Sequence, residues 1–506
     1  AGGAAGPRRG RRHATCRGAS CQACRVVSVA DAIERLDALA ATPPLARLAT
    51  AFAAAGRELA LVGGSVRDAF LGRPLTDLDL TTDARPDETL ALVGPLATTT
   101  WEIGREFGTI GALVADQRVE ITTYRADAYD GATRKPVVAF GDELEGDLRR
   151  RDFGVNAMAL RLPDPAAGAG RPVLVDPGGG LDGLLAGVLD TPGDPAVSFG
   201  DDPLRMLRAA RFVAQLGFRV AARAAAAMRA MAPSLGIVSA ERIADELAKL
   251  LRADDPVPGV RLMVDTGIAE IVLPEVPALR FEADEHAHHK DVYEHTLTVL
   301  RQAVDLEAAR GLPGAPDLVL RLAALLHDVG KPATKRVEGR VVSFHHHDAV
   351  GAKLATKRLR ALRFDNDTVA SLSRLVELHL RFFGYSDQGW TDAAVRRYVR
   401  DAGDELERLH ILTRADVTTR NRRKAERLEF AYDDLERRIA ELREREELDA
   451  VRPDLDGRDI MRILGLPPGR EVGEAYRFLL DLRLDEGPLA PEDAERRLRA
   501  WWASRS

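Results

Sequence analysis

The chain of 506 residues carries a net charge of −6, with 45% hydrophobic and 30% charged residues. That is an ordinary globular composition, long enough for three or four domains, and no run approaches the ~20 apolar residues of a membrane-spanning helix. The negative balance excludes a global basic field, so nucleic acid has to be met by local patches. Candidates are Arg149-Arg150-Arg151, Lys357-Arg358 with Arg360 and Arg363, and Arg420 with Arg422-Arg423-Lys424.

Residues 1–28 are rich in Gly, Ala and Arg, with no acidic residue before Asp31, and are expected to form a disordered leader. A start at Val26 or Val29 is expected. The only cysteines, Cys16, Cys21 and Cys24, fall in this stretch, so the body has no disulfides and a reducing, cytoplasmic setting fits. From Val29 to Ala55 the pattern is two amphipathic helices broken at Pro43-Pro44.

Glu58 to Val62 is an apolar run that reads as a short buried strand. Gly63-Gly64 breaks it, and Ser65 is expected to cap a helix through Val66, Phe70 and Leu71 that ends at Gly72, Arg73 and Pro74. Asp77-Leu78-Asp79-Leu80 then alternates strictly, which places both aspartates on one strand face. Two carboxylates one pleat apart can hold Mg²⁺ ions. A neighbouring glycine turn can hold the triphosphate whose charge those ions neutralise. Alone, such an Asp-x-Asp is more often polar surface.

Pro86 starts a helix to Val93, and strand-like runs follow at 98–101, 109–114 and 119–124, so residues 58–165 form the one α/β part. Glu120 alternates onto a strand face. Residues 125–144 are polar and rich in breakers and read as a mobile loop. From Phe199 onward the sequence is helical. Asp202 is expected to cap a helix whose first residue is Pro203, with Arg205 one turn on and on the same face. In Glu241-Arg242-Ile243-Ala244-Asp245-Glu246-Leu247 the apolar positions read as core, and Glu241 and Arg242 as structural. His295, His327-Asp328, His347, His379 and Asp416 gather most of the metal-ligating chemistry between 286 and 416. A long charged helix over 421–447 and a last helical segment from 456 to Trp501-Trp502 complete the chain.

Gly63-Gly64-Ser65-Val66-Arg67-Asp68 followed by Asp77-Leu78-Asp79 resembles the signature of the class II tRNA nucleotidyltransferases and bacterial poly(A) polymerases, in the polymerase-β superfamily. The resemblance implies an α/β nucleotidyltransferase head with a polymerase-β-like small sheet, followed by an all-α neck, an HD domain and a tail. The expected bounds are head 29–165, neck 166–280, HD domain 281–424 and tRNA-binding body 425–506. It implies catalysis and Mg²⁺ binding by Asp77 and Asp79, with Glu120 as a third carboxylate, and triphosphate binding by Gly63, Gly64 and Arg67.

Arg150-Arg151-Asp152-Phe153-Gly154-Val155-Asn156-Ala157 resembles the family's RRDFTxNA motif, with Gly154 in place of Thr. Arg151 is then expected on phosphate, and Asp152 and Asn156 on ribose hydroxyls. Asp176-Pro177-Gly178-Gly179-Gly180 resembles DPFGG, with Gly178 in place of Phe. The segment from Asp201 to Arg208 resembles EDxxRxxR, in which the acid and first arginine read the incoming base. Cytosine and adenine each offer an exocyclic amine beside a ring-nitrogen acceptor, which a carboxylate and a guanidinium match. Guanine and uracil present a carbonyl and an N–H there. Asp202 and Arg205 are therefore the expected base readers, supported by Arg208.

His295, His327-Asp328 and Asp416 resemble the ligand set of the HD phosphohydrolases, and His347 and His379 stand where two-metal members place extra ligands. Such a mixed set suits an unidentified divalent transition metal, and a site of this kind activates water against a phosphoester. The expectation is template-independent addition of CCA to tRNA 3′ ends from CTP and ATP, with a second phosphohydrolase activity. The alternatives are a poly(A) or A-adding polymerase, and an HD phosphohydrolase with an inactive head. The expected partners are tRNA, CTP and ATP, without a membrane or a stable protein partner.

Overall fold

The computed structural model describes residues 29–74, 78–126, 139–163, 170–280, 291–338, 341–419, 421–446 and 452–505. The expected leader with its three cysteines, Asp77 and most of the expected mobile loop lie outside these residues. The chain divides into two compact units between Ala186 and Gly187.

The first unit runs α1 (Val29–Ala40), α2 (Pro43–Ala54), β1 (Leu59–Val62), α3 (Gly64–Leu71), β2 (Leu78–Thr82), α4 (Pro86–Val93), β3 (Ala97–Trp101), β4 (Thr109–Val114), β5 (Gln117–Thr123), β6 (Arg125–Ala126), β7 (Ala139–Phe140), α5 (Leu144–Arg149), β8 (Ala159–Arg161), β9 (Val173–Val175) and α6 (Gly180–Ala186). Seven strands form a mixed sheet in the order β3-β4-β5-β2-β1-β8-β9. Within it β2 and β5 pair in parallel, and the other neighbours are antiparallel.

All four residues of β1 are buried, because helices cover both of its faces. Ala60 and Val62 pack with Tyr124, Leu144 and Leu148, while α2 and α3 also lie against this strand. On β2 the alternation holds where it matters: Leu78 and Leu80 are buried and Asp79 is exposed. The helix after β1 starts differently from the expectation. Gly63, not Ser65, is its N-cap residue, with φ 68° and ψ −129°, a conformation that a side chain would strain. Ser65 lies inside the helix, and its buried hydroxyl accepts the Asp79 backbone N–H at 3.3 Å.

The glycine-rich turn after β9 is tied down by Asp176, whose two carboxylate oxygens accept the N–H groups of Gly180 (2.7 Å) and Leu181 (2.9 Å). A Cβ on Gly180 would sit 2.1 Å from the carbonyl oxygen of Gly154. The Asp176 turn is thus pressed directly onto the backbone of the RRDFGVNA motif.

The second unit runs β10 (Val188–Leu189), α7 (Pro195–Asp201), α8 (Leu204–Leu216), β11 (Arg219–Val220), α9 (Ala222–Met231), α10 (Ala240–Leu251), α11 (Val257–Asp265), α12 (Ile268–Val272), α13 (Val292–Arg310), α14 (Leu318–Leu326), α15 (Lys331–Thr334), β12 (Arg336–Glu338), β13 (Val341–Ser343), α16 (His347–Ala361), α17 (Asn366–Leu378), α18 (Phe383–Gln388), α19 (Asp392–Ala402), α20 (Leu406–Ala415), α21 (Arg422–Glu446), α22 (Gly457–Leu464), α23 (Arg470–Glu486) and α24 (Pro491–Ala503). It is helical, as expected, apart from two small strand pairs, β10–β11 and β12–β13, which are too short to leave a periodic signal.

The charged helix α21 still buries a stripe of Leu428, Tyr432, Leu435, Ile439 and Leu442 at helical spacing. Its last residue, Glu446, holds Arg396 of α19 through a buried two-point ion pair at 2.7 and 3.0 Å. Arg396 also donates to the Leu484 carbonyl of α23. Helices α22 to α24 close a separate apolar core of Ile460, Ile463, Leu479 and Leu498. No helix among the described residues is long and apolar enough to cross a membrane.

Gly180→Ala should lower stability by about 1–3 kcal/mol, because its methyl group meets backbone that cannot yield. Thermal unfolding checks this, and an unchanged midpoint would mean that the turn and the motif do not bear on each other.

Candidate functional site

Three groups of expected site residues are brought together by the fold, one in the first unit and two in the second. In the first unit the parallel register places Asp79 of β2 opposite Glu120 of β5, so the two carboxylates share a sheet face. Glu120 also pairs with Arg118 on its own strand at 3.0 Å. The guanidinium of Arg118 lies over Trp101 at 5.1 Å, and that indole covers Gly111 so closely that a Cβ there would touch it at 1.9 Å. The Arg118–Glu120 pair is open to solvent.

Beside the strands, the turn at Gly63 is approached by Arg151, whose Nη1 would lie 3.4 Å from a Cβ on that glycine. Arg151 is oriented by Asp147 one turn earlier, at 3.1 Å. Arg67 points its guanidinium into a chain of bonds. It takes Asp68 at two points, 3.0 and 2.9 Å, and donates to the Asn156 side-chain oxygen at 2.6 Å. The Asn156 amide donates to Asp152 at 3.2 Å, and Asp152 accepts the Phe153 backbone N–H at 2.8 Å. Arg67, Asp152 and Asn156 therefore form one network although they are 89 residues apart in the chain at most. Asp152 and Asn156 are buried, which makes this network a rigid wall rather than a solvated surface.

In the second unit α8 begins one residue later than the sequence pattern suggests, with Pro203 at the cap and Asp202 accepting the Leu204 N–H at 3.2 Å. Arg205 is fixed by Ser198 of α7, donating to its hydroxyl at 2.8 Å and its carbonyl at 3.3 Å. Asp202 has a partner that sequence reasoning placed in the scaffold: Arg242 of α10 donates to its second oxygen at 2.7 Å. One turn along α10, buried Glu246 holds Arg211 at 2.6 Å and stands 3.9 Å from Arg208. The i, i+4 spacing of Arg242 and Glu246 was the only available signal, and it is equally the spacing of an ordinary surface pair.

The third group is a metal-ligating cluster. His327 and Asp328 follow α14, His295 comes from α13, His347 opens α16, His379 follows α17 and Asp416 follows α20. They fall into two adjoining sets, His295 with His327 and Asp416, and Asp328 with His347 and His379. In each set, one ligand atom per residue lies within 4.8 Å of the others. His295 Nε2 is 2.9 Å from Asp416 Oδ1, and His347 Nε2 is 3.3 Å from Asp328 Oδ1.

Three of the histidines share one device. The Nδ1 atoms of His327, His347 and His379 lie 3.0, 2.8 and 2.6 Å from the carbonyls of Ala324, Phe344 and Val376, each three residues earlier. A carbonyl only accepts, so Nδ1 carries the proton and the Nε2 lone pair is left for a ligand. All three Nε2 atoms are buried and none makes a hydrogen bond of good geometry, although those of His327 and His347 face Asp328 at 3.3 Å. Buried ring nitrogens grouped with buried carboxylates are the donor set that a cation site needs.

The carboxylates draw positive charge to His327 Nε2, a place for which a proton and a metal ion would compete. Burial opposes a charged His327, but Asp328 and Asp416 outweigh it and raise its pKa to about 10. Burial likewise works against Asp328 and Asp416, yet both are held well below the usual carboxylate range, Asp328 by His327, Lys331 and His347, Asp416 by His295 and His327. His379 goes the other way, to about 4, through burial and the neighbouring His327. The pocket thus stabilises positive charge at its centre, and the residues fit a divalent ion there. Lys331, which donates to Asp328 at 2.8 Å, and Gly330, where a Cβ would meet the His347 carbonyl at 2.0 Å, explain why Gly-Lys follows the His-Asp pair. Thr418, at 3.0 Å from His295 Nδ1, gave no signal in the sequence.

The chain matches three family models: the poly A polymerase head domain over 59–190, the "Probable RNA and SrmB- binding site of polymerase A" over 217–279, and the HD domain over 292–421. An A-adding tRNA nucleotidyltransferase of Deinococcus radiodurans is 35% identical over 458 residues, which cover 87% of this chain and 95% of that protein. A CCA-adding enzyme of Geobacillus thermodenitrificans is 37% identical over 215 residues, 42% of this chain and 50% of that one. The fold is similar to that of a Bacillus stearothermophilus CCA-adding enzyme in complex with CTP, with a TM-score of 0.63, 24% identity and coverage of 92% of this chain and 99% of that one.

Metal analysis of the desalted protein should find about two transition-metal ions per chain, and His347→Ala about one. A wild-type protein that binds none after exposure to Mn²⁺, Co²⁺ or Zn²⁺ would show the cluster to be a charge network only.

Proposed function

This chain belongs to the tRNA nucleotidyltransferase and poly(A) polymerase family, and we propose that within it the protein adds CCA to tRNA 3′ ends from CTP and ATP. The reading is carried by the Asp202–Arg205 arrangement at the start of α8. Asp202, just before α8, and Arg205, in its first turn, are each held by their own bonds, and an acceptor with a donor at that spacing matches the amine and ring nitrogen of cytosine and adenine alike, and mismatches uracil and guanine. No nucleic-acid template is needed for that choice.

In the head, Asp77 and Asp79 are the proposed catalytic carboxylates, with Glu120 beside Asp79. They would hold two Mg²⁺ ions, whose charge would favour ionisation of the attacking 3′-hydroxyl and offset that of the departing pyrophosphate. Gly63 and Gly64 let the backbone approach the triphosphate, and Arg67 and Arg151 bind its oxygens. The Asp152–Asn156 network orients Arg67 and reads the ribose hydroxyls. Arg208 supports the base readers.

A second activity is favoured by the two adjoining His–Asp sets, in which buried Nε2 atoms and carboxylates converge. His295, His327 and Asp416 would hold one divalent transition-metal ion, and Asp328, His347 and His379 another. Such a pair supplies an activated water for phosphoester hydrolysis. A 2′,3′-cyclic phosphate or a monophosphate on a damaged RNA end fits the partner chemistry of the head.

Transcripts of tRNA lacking CCA, ending in C, or ending in CC, each given labelled CTP or ATP alone, separate the readings. C addition to the first two and A addition to the third support CCA addition. A addition to the CC end with no use of CTP identifies an A-adding enzyme instead. Asp79→Ala should reduce transfer by ~10³-fold and spare the phosphohydrolase. His327→Ala should do the reverse, and loss of transfer in it would make the cluster structural.

A further inference from the structure

We propose that Arg242 is a positioning residue for base selection: it sets the carboxylate plane of Asp202, so that only a base amine satisfies it. The proposal rests on the reading of Asp202 and Arg205 as the base readers.

Arg242 lies on α10. Ser239 caps this helix and accepts the Arg242 N–H at 3.4 Å, so Arg242 sits in the first turn with a fixed direction. Glu246 lies one turn further on the same face. Together they present α8 with a cation and an anion in order: Arg242 meets Asp202, and Glu246 meets Arg211 and Arg208. Register between the two helices is thereby read through charge at both ends of the base-reading turn.

At Asp202 the consequence is specific. Oδ1 is held by the Leu204 N–H at 3.2 Å and Oδ2 by Arg242 at 2.7 Å. With one donor on each oxygen, the carboxylate cannot rotate without losing a bond, and each oxygen keeps a lone pair for an incoming amine. Arg205 is held separately, by the Ser198 hydroxyl at 2.8 Å. Selection between an amine and a carbonyl requires acceptor and donor to be held within a few tenths of an ångström of the productive geometry. Ser198 and Arg242 are the groups that do so.

The pair is not a folding element of consequence. The Arg242 side chain is 54% exposed and that of Asp202 27% exposed, and ion pairs this open contribute little to stability. A positioning role and a structural role therefore predict different outcomes.

The test is steady-state kinetics of the full chain on transcripts lacking CCA (with CTP or UTP) and ending in CC (with ATP or GTP), for wild type, Arg242→Ala, Arg242→Lys and Asp202→Ala, with thermal unfolding of each. In Arg242→Ala, KM for CTP and ATP should rise about 10-fold while kcat stays within about twofold, and UTP incorporation relative to CTP should increase. Arg242→Lys should restore most of both, and the thermal midpoint should not move. Unchanged KM and selectivity in Arg242→Ala overturn the proposal. A fall in kcat with a lowered midpoint and no rescue by lysine also overturns it, in favour of a structural role. A raised KM for tRNA alone overturns it in favour of an RNA contact. Asp202→Ala tests the underlying reading separately: if it still prefers CTP to UTP as the wild type does, the base-reader assignment fails whatever Arg242 does.

Discussion

The parallel pairing of β2 with β5 is the constraint on which the head depends. It sets Asp79 and Glu120 opposite each other on one sheet face, where two carboxylates repel unless a cation lies between or beside them. The surrounding structure holds that arrangement in place instead of relaxing it. Ser65 ties the Asp79 backbone to α3, and Arg118, over Trp101, pairs with Glu120. The Gly63 turn is kept bare of side chain, so that Arg67 and Arg151 converge on it. Negative charge on the strands and positive charge around the turn are what a metal-bound triphosphate needs, since its ions and its oxygens call for opposite partners.

The second unit solves a related problem by other means. Its six candidate ligand side chains lie in or just beyond five helices, His327 and Asp328 sharing one, and three of them are aimed by the same local bond from Nδ1 to a carbonyl three residues back. That bond uses up one ring nitrogen and commits the other to the cluster. Burial then strengthens every charge interaction inside, which is why the carboxylates stay ionised against their desolvation.

Much of this was legible in the sequence because the signals are local. Alternation placed Leu78 and Leu80 in the core and Asp79 outside, and His327-Asp328 at the end of an apolar helix announced the cluster. Local signals also misled. Ser65 looks like an N-cap because serine usually is one there, yet the positive φ of Gly63 makes the glycine the cap and frees the hydroxyl for β2. Arg242 looked structural because nothing in an ERIADEL segment reveals that its neighbour is a carboxylate 40 residues earlier. The close approach of Gly180 to Gly154 is likewise invisible in sequence. Periodicity reports which face is buried and not what that face meets.

The central claim is that divalent ions belong at two chemically distinct places, the strand carboxylates of the head and the histidine–aspartate cluster of the second unit. Anomalous scattering from crystals of the full chain soaked with Mn²⁺ and a non-hydrolysable CTP analogue tests it most directly. Manganese density against the Asp79 carboxylate and against the Nε2 atoms of His327 and His347 is the predicted result. Density at the histidine cluster with none at Asp79, nucleotide being bound, would contradict it.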